Sequence, residues 1–221
     1  MRKSLINRQI IILLSAVLIG PFSFLSCSNN APDISNAKLS LVFDYKSREA
    51  LPQARLSLFV ESLSNPRRFD SITVSASQND FFWEANDLII AADAEKTYCG
   101  ITNLVMPQNQ EFPAGDYTIV FHQADEQEKE IKRYINYDRA IYKTKADDIP
   151  ALMQKLSATK MLTVYDEEKN ILYYGPRTAE LRDARGIWNN YRDAREFGES
   201  WITPNGNIIC NMPVEKVVPG N

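Results

Sequence analysis

The 221 residues carry 25 basic and 28 acidic side chains, a formal net charge of −3, and an apolar content of 44%. That is enough apolar material to build a packed core, so the chain is not a disordered stalk, and it offers no broad basic field for nucleic acid. With 8 glycines and neither G-x-G-x-x-G nor G-x-x-x-x-G-K-S/T, both common phosphate cradles are missing, and one histidine cannot build a His-rich zinc site.

The first thirty residues have the order of a signal peptide. Arg2, Lys3 and Arg8 precede Ile10 to Ile19, an apolar run interrupted only by Ser15, and Gly20-Pro21 ends it. A run of about ten apolar residues suits the h-region of a signal, whereas a spanning helix needs roughly twenty. The segment closes on Phe24-Leu25-Ser26-Cys27, which resembles the lipobox of bacterial lipoproteins. Ser26 is the small residue that family has before its cysteine; Phe24 departs from the usual Leu or Val. The resemblance implies a signal peptide over residues 1–26, removed before Cys27, and a lipid on that cysteine. It also implies a partner (the membrane itself) and an address in the bacterial cell envelope. Residues 27–37 then form the lipidated cysteine and a polar tether containing Pro32 and three asparagines. Ser28 stands where some sorting systems read Asp as an inner-membrane signal, which favours the outer membrane over the inner one. Loss of the three basic residues leaves 22 basic against 28 acidic side chains, a net charge of −6.

From Lys38 the dominant period is two. Leu39, Leu41, Phe43 and Tyr45 alternate with Ser40, Val42 and Asp44, and after a polar turn Leu56, Leu58 and Val60 repeat the pattern. Further strands are predicted at Ser71–Ala76, Phe81–Ala85, Leu88–Ala91, Tyr98–Val105, Asp116–Gln123 and Glu130–Tyr137, the signature of an antiparallel sandwich. Two stretches, VFDYKSREALPQARLSL at Val42–Leu58 and FPAGDYTIVF at Phe112–Phe121, resemble parts of transthyretin-like and immunoglobulin-like bacterial domains. That likeness implies a corner at Tyr117, with the ring buried and the hydroxyl bonded to nearby backbone. The expected fold class is mainly β: an antiparallel immunoglobulin-like sandwich over residues 38–140, then a smaller α+β region over 141–221. In the latter, helices are predicted from Asp148 to Ala158 and from Thr178 to about Phe197. Hairpins are predicted at 161–174 and at 200–213, the second turning at Pro204-Asn205-Gly206-Asn207.

Few residues invite chemistry. His122 alternates with Tyr117, Ile119 and Phe121 and is expected to point outward with Thr118 and Val120; no G-x-S-x-G accompanies it. Asp125, Glu126, Glu128 and Glu130 cluster at a turn without the spacing of a calcium loop, which reads as solvation. No catalytic residue, metal ligand or cofactor is therefore assigned. Cys99 and Cys210 are an even pair in an exported chain, which fits one disulfide joining the two regions or two separate buried thiols. The segment from Arg182 to Arg195 repeats R-D-A-R around Trp188 and Tyr191. Arg182, Arg185, Trp188, Tyr191 and Arg192 are the candidate partner-binding residues, since Arg and aromatic side chains together are enriched at recognition surfaces. An amphipathic helix with solvated ion pairs and a buried Trp188 is the plainer reading of the same residues.

The function these observations favour is a non-enzymatic, membrane-anchored binding or assembly module of the cell envelope, whose partner is an envelope protein or an anionic polymer. The alternatives are an enzyme acting on cell-wall or polysaccharide material and a carrier for a small apolar ligand.

Overall fold

The computed structural model describes residues 32–217 apart from 79, 80, 94 and 109. The signal peptide, Cys27 and the first part of the tether lie outside the described residues. No helix among those described is long and apolar enough to cross a membrane.

The predicted strands all form. In chain order they are β1 (Ile34–Asp44), β2 (Gln53–Ser62), β3 (Phe69–Ala76), β4 (Phe82–Ala85), β5 (Ile89–Asp93), β6 (Lys96–Leu104), β7 (Gly115–Gln123) and β8 (Glu128–Ile135). After two 3-10 turns come α1 (Ile149–Lys155), β9 (Thr159–Tyr165), β10 (Ile171–Gly175), α2 (Ala184–Asn190), β11 (Glu196–Ile202), β12 (Ile208–Asn211) and β13 (Glu215–Lys216). β1 begins four residues before the expected Lys38, with an irregular register between Ser35 and Lys38 where Asn36 takes a positive φ of 45°.

The strands form two sheets in a mainly β, sandwich-like arrangement. The smaller has the order β4-β3-β7-β8; the larger runs β10-β9-β11-β12-β1-β2-β6-β5, with β13 added on β11. Residues alternate across each strand, so one face of each sheet is apolar. Leu39, Leu41, Phe43, Leu56, Leu58 and Val60 of the larger sheet join Ile72, Val74, Tyr117, Ile119 and Phe121 of the smaller in one core. Full burial of such side chains contributes about 1.5–3 kcal/mol each. Tyr117 is fully buried and its hydroxyl donates to the Pro113 carbonyl at 2.7 Å, the corner expected from the sequence.

Two expectations are corrected. The sandwich is not wholly antiparallel, because β1 and β12 pair in parallel, Leu41 opposite Ile208 through Asp44 opposite Asn211. The C-terminal strands do not form a sheet of their own either: through β12 they continue the sheet that β1 belongs to. They keep a small separate core of Leu162, Val164, Leu181, Ile187, Ala194, Phe197 and Val217.

The long helix expected from Thr178 to Phe197 is also overturned. Asp183 caps α2 by accepting from the Gly186 amide at 2.8 Å, so the helix starts at Ala184, and it ends before Tyr191. A side chain at Gly186 would meet the Glu180 carbonyl at 2.2 Å, so the chain entering the helix crosses it too closely for any other residue. Phe197, Glu199 and Trp201 then alternate at period two along β11. By contrast α1 falls within its predicted bounds. It starts at Ile149 with Pro150 in its first turn, and Asp148 sits at the cap position without a side-chain cap bond.

Tyr117→Phe removes one hydroxyl and leaves a buried carbonyl unpaired. It is expected to cost about 1–2 kcal/mol of unfolding free energy by urea denaturation, with no change in the slope of the transition. An unchanged midpoint would show that the corner does not stabilise the sandwich.

Candidate recognition surface

The segment singled out by its arginines does converge on one aromatic ring, although not as a helix face. α2 places Arg185 in solvent, Ile187 in the small core and Trp188 half-buried. The helix stops, and a tight turn through Tyr191 and Ala194 (Ala194 amide to Tyr191 carbonyl, 3.1 Å) folds the chain back toward β11. Arg192 and Arg195 thereby return to the indole: their guanidinium carbons lie 5.6 Å and 5.8 Å from the Trp188 ring centre. Both distances are within cation–π range. Tyr191 is half-buried and packs its ring 6.0 Å from Tyr173.

Among the described residues, Arg185, Arg192 and Arg195 make no ion pair with a carboxylate. Asp183 is occupied at the helix cap and lies 3.5 Å from the exposed Arg182; Glu196 pairs with Lys169. Asp166 is held below the usual carboxylate range chiefly by its bond from Asn170, and Arg195 adds a minor charge contribution. Arg192 rests on the Trp188 ring, and Arg195 rests on it and also donates to the Ala194 carbonyl at 3.1 Å, while both side chains stay exposed. Of the plainer reading, the solvated Arg182–Asp183 pair is present, while Trp188 is half-buried and the helix ends before Tyr191.

Beside this surface a cleft of about 470 Å³ opens between α1 and β11, lined by Arg48, Arg177, Phe197, Glu199, Trp201 and Glu215 among others. Its charges are paired with one another. Glu199 lies 2.7 Å from Lys160 and 3.0 Å from Arg177, and Arg48 lies 3.0 Å from Glu215. Arg177 also covers the Phe197 ring and Lys160 the Trp201 ring. Sequence reasoning missed this cleft because it assigned Phe197 to a helix; the Phe-Gly-Glu-Ser-Trp alternation was the available signal.

His122 points outward with Thr118 and Val120, as its alternation requires. It bridges Thr73 Oγ1 through Nε2 at 3.0 Å and Glu128 Oε1 through Nδ1 at 2.9 Å. Hydroxyl, imidazole and carboxylate in a row can relay a proton. Thr73 sits in the middle of β3, which is paired on both sides, so its amides are committed to the ladders rather than to an incoming oxyanion. Of the acidic residues, Asp125 and Glu126 lie at the β7–β8 turn, where Asp125 pairs with Arg68, and Glu128 and Glu130 lie on β8. No group of three potential metal ligands occurs among the described residues.

Cys99 and Cys210 are both free and buried. Cys210 is opposite Phe43, which is opposite Ala54, while Cys99 is opposite Val60, six residues further along β2. Three strand spacings of about 4.8 Å and six residues at about 3.3 Å separate the two cysteines, far beyond disulfide reach. The expected disulfide is therefore replaced by two separate thiols, with Cys210 Sγ packed 3.7 Å from the Met153 sulfur.

Comparison of the chain with protein-family models, with curated proteins and with solved structures finds no match to any of them.

Burial pushes the Cys99 thiol up to about 11 and the Cys210 thiol up to about 12. Both stay protonated, and so unreactive, through neutral pH. In the Cys27→Ala protein, maleimide labelling at pH 8 is expected to be negligible until denaturant is added, and reductant is expected to leave the melting temperature unchanged. A reductant-sensitive melt would restore the disulfide.

Proposed function

We propose that this chain is a lipid-anchored, non-enzymatic binding or assembly module of the bacterial cell envelope, built on an immunoglobulin-like sandwich. The observation that carries the binding role is the pair of guanidiniums on Trp188. Arg192 is held by the ring and Arg195 by the ring and by backbone, yet neither is neutralised by an ion pair among the described residues. A charge that is pre-positioned and unpaired loses little side-chain entropy on meeting an anion, and in a protein with net negative charge it steers anionic partners to one spot. The partner class is an anionic polymer or an acidic protein surface of the envelope.

The sandwich reading draws on strand order. β5-β6-β2-β1 facing β4-β3-β7-β8 follows the two-sheet arrangement of immunoglobulin-like domains, and the Tyr117 to Pro113 bond resembles their tyrosine corner. The anchoring reading draws on the charged start, the short apolar run and the Ser26-Cys27 junction. Outer-membrane placement follows from Ser28.

Two experiments test the proposal. Cys27→Ala is expected to abolish labelling by radioactive palmitate and to leave the chain unprocessed; a variant that still matures to a membrane-bound form overturns the anchor. Arg192→Ala with Arg195→Ala is expected to weaken binding to an anionic polymer, with polygalacturonate as probe. The loss is expected to be largest at low ionic strength and to shrink near 0.5 M salt, where the Debye length falls to about 4 Å. Equal binding by a folded double variant leaves the surface as scaffold.

A further inference from the structure

Sheet edges expose unpaired amides and carbonyls, and folded proteins shield them with charge, brevity, proline or a bulge. Among the described residues the two sheets end on four outer strands, and three of these carry a shield. β8 alternates Glu128, Lys129, Glu130, Lys132 and Arg133 along its length. β10 is broken by a register irregularity between Ile171 and Tyr173 and is followed by Pro176. β4 is four residues long and carries Glu84. β5 is five residues long, has no proline and no bulge, and carries its one charge, Asp93, at its last position. Its register against β6 is regular from Ile89 to Asp93, and Ile89, Ile90, Ala91 and Ala92 are uncharged and exposed, the two isoleucines by 44% and 46%. Exposed Phe82 lies on β4, the outer strand of the second sheet.

We infer that the β5 edge is a docking site for an extended strand of a partner polypeptide, added to the nine-stranded sheet by main-chain hydrogen bonds. This surface is separate from the arginine cluster and does not depend on the function proposed for it. The partner strand is apolar at its centre and basic at its ends. The central preference follows from the two isoleucines, whose side chains point to opposite faces and would pack against alternate residues of the added strand. The basic ends follow from charge: exposed Asp87 precedes β5 and exposed Glu95 follows it, with Glu84 on β4 nearby. The same charges argue against a second copy of this chain. Antiparallel self-pairing about Ala91 would set Asp87 of one copy opposite Glu95 of the other, and like charges directly opposite destabilise a strand pair.

The test selects random dodecapeptides displayed on phage against the full chain carrying Cys27→Ala, with the Ile90→Lys variant as counter-target. Ile90 is exposed, so the lysine adds an edge charge without filling the core; an unchanged melting temperature confirms the fold, and Ala91→Lys serves as a second edge variant. The enriched peptides are expected to alternate apolar residues and to carry Lys or Arg at the ends. Their consensus, made as a free peptide, should lose roughly tenfold or more in affinity for either variant, which is about 1.4 kcal/mol. A proline at its centre should abolish binding, because it removes a ladder donor. Peptides that bind wild type and both variants alike, or no enrichment over the variants, overturn the proposal. So does concentration-dependent self-association that Ile90→Lys removes, which would make the occupant a second copy.

Discussion

Among the described residues, a parallel register of four, Leu41–Asp44 against Ile208–Asn211, is the only strand pairing that attaches the C-terminal strands to the sandwich. β9, β10, β11 and β13 reach the rest of the sheet solely through β12. The pairing is reinforced by side chains on one face: the Asn211 amide donates to Asp44 at 2.7 Å, and Ser200 donates to Asn211 at 2.7 Å. On the other side Arg55 meets Asp44 at 2.6 Å and the Thr102 carbonyl at 2.6 Å. One polar chain thus crosses β6, β2, β1, β12 and β11. Each member satisfies its neighbour, and removing one leaves another unpaired, which is why such a network specifies its register. The backbone adds Leu41 to the Asn207 carbonyl, Tyr45 to the Asn211 carbonyl and the Ser40 hydroxyl to the Gly206 carbonyl.

This constraint is non-local in the extreme. Asp44 and Asn211 are 167 residues apart in sequence, so their contact closes nearly the whole folded chain. The loop entropy is lost before the pairing returns anything, and such contacts form late. The sandwich has its own core and its own ladders, so it provides the template on which β12 lands. α1 then covers the junction, with Met153 against Cys210 and Ile149 in the main core.

The sandwich strands were legible because burial on one face imposes a period of two, and Leu39–Tyr45 and Leu56–Val60 display it without interruption. Tyr117 was legible because glycine two residues earlier and alternation after it leave the ring only one place to go. The parallel pairing was not legible. Ile208–Asn211 is four residues long and carries no mark of its partner, since register between distant strands is decided by complementarity of both. The arginine segment was half legible: residue types picked out Trp188 and Arg192, which meet, but Arg182 and Arg185 stay apart from the ring, and Gly186 and the Asp183 cap ended the helix that was expected to organise them. Trp188 gathers Arg192 and Arg195 through a turn rather than by helical spacing, which a periodicity argument cannot see. The unshielded edge of β5 became visible only once the sheet order showed which strands lie at edges.

The two surfaces sit at opposite corners of one sheet. From β5 to β11 the order crosses five strand spacings, roughly 24 Å at about 4.8 Å each. They are also displaced along the strands. Ile90 is level with Val60, near the start of β1, whereas Phe197 and α2 lie beyond Asp44 at its far end. Neither surface shares a side chain with the other, so occupation of one places no steric limit on the other. Their chemistries differ as well: an apolar edge flanked by acids would suit the extended, basic-ended strand proposed for it, and a cationic aromatic cluster would suit an anion. A rigid sheet connecting two such unlike surfaces fixes the distance between whatever they hold. That is the property an assembly module needs, because linking two partners through a stiff body raises their effective concentration for each other only when the span is set.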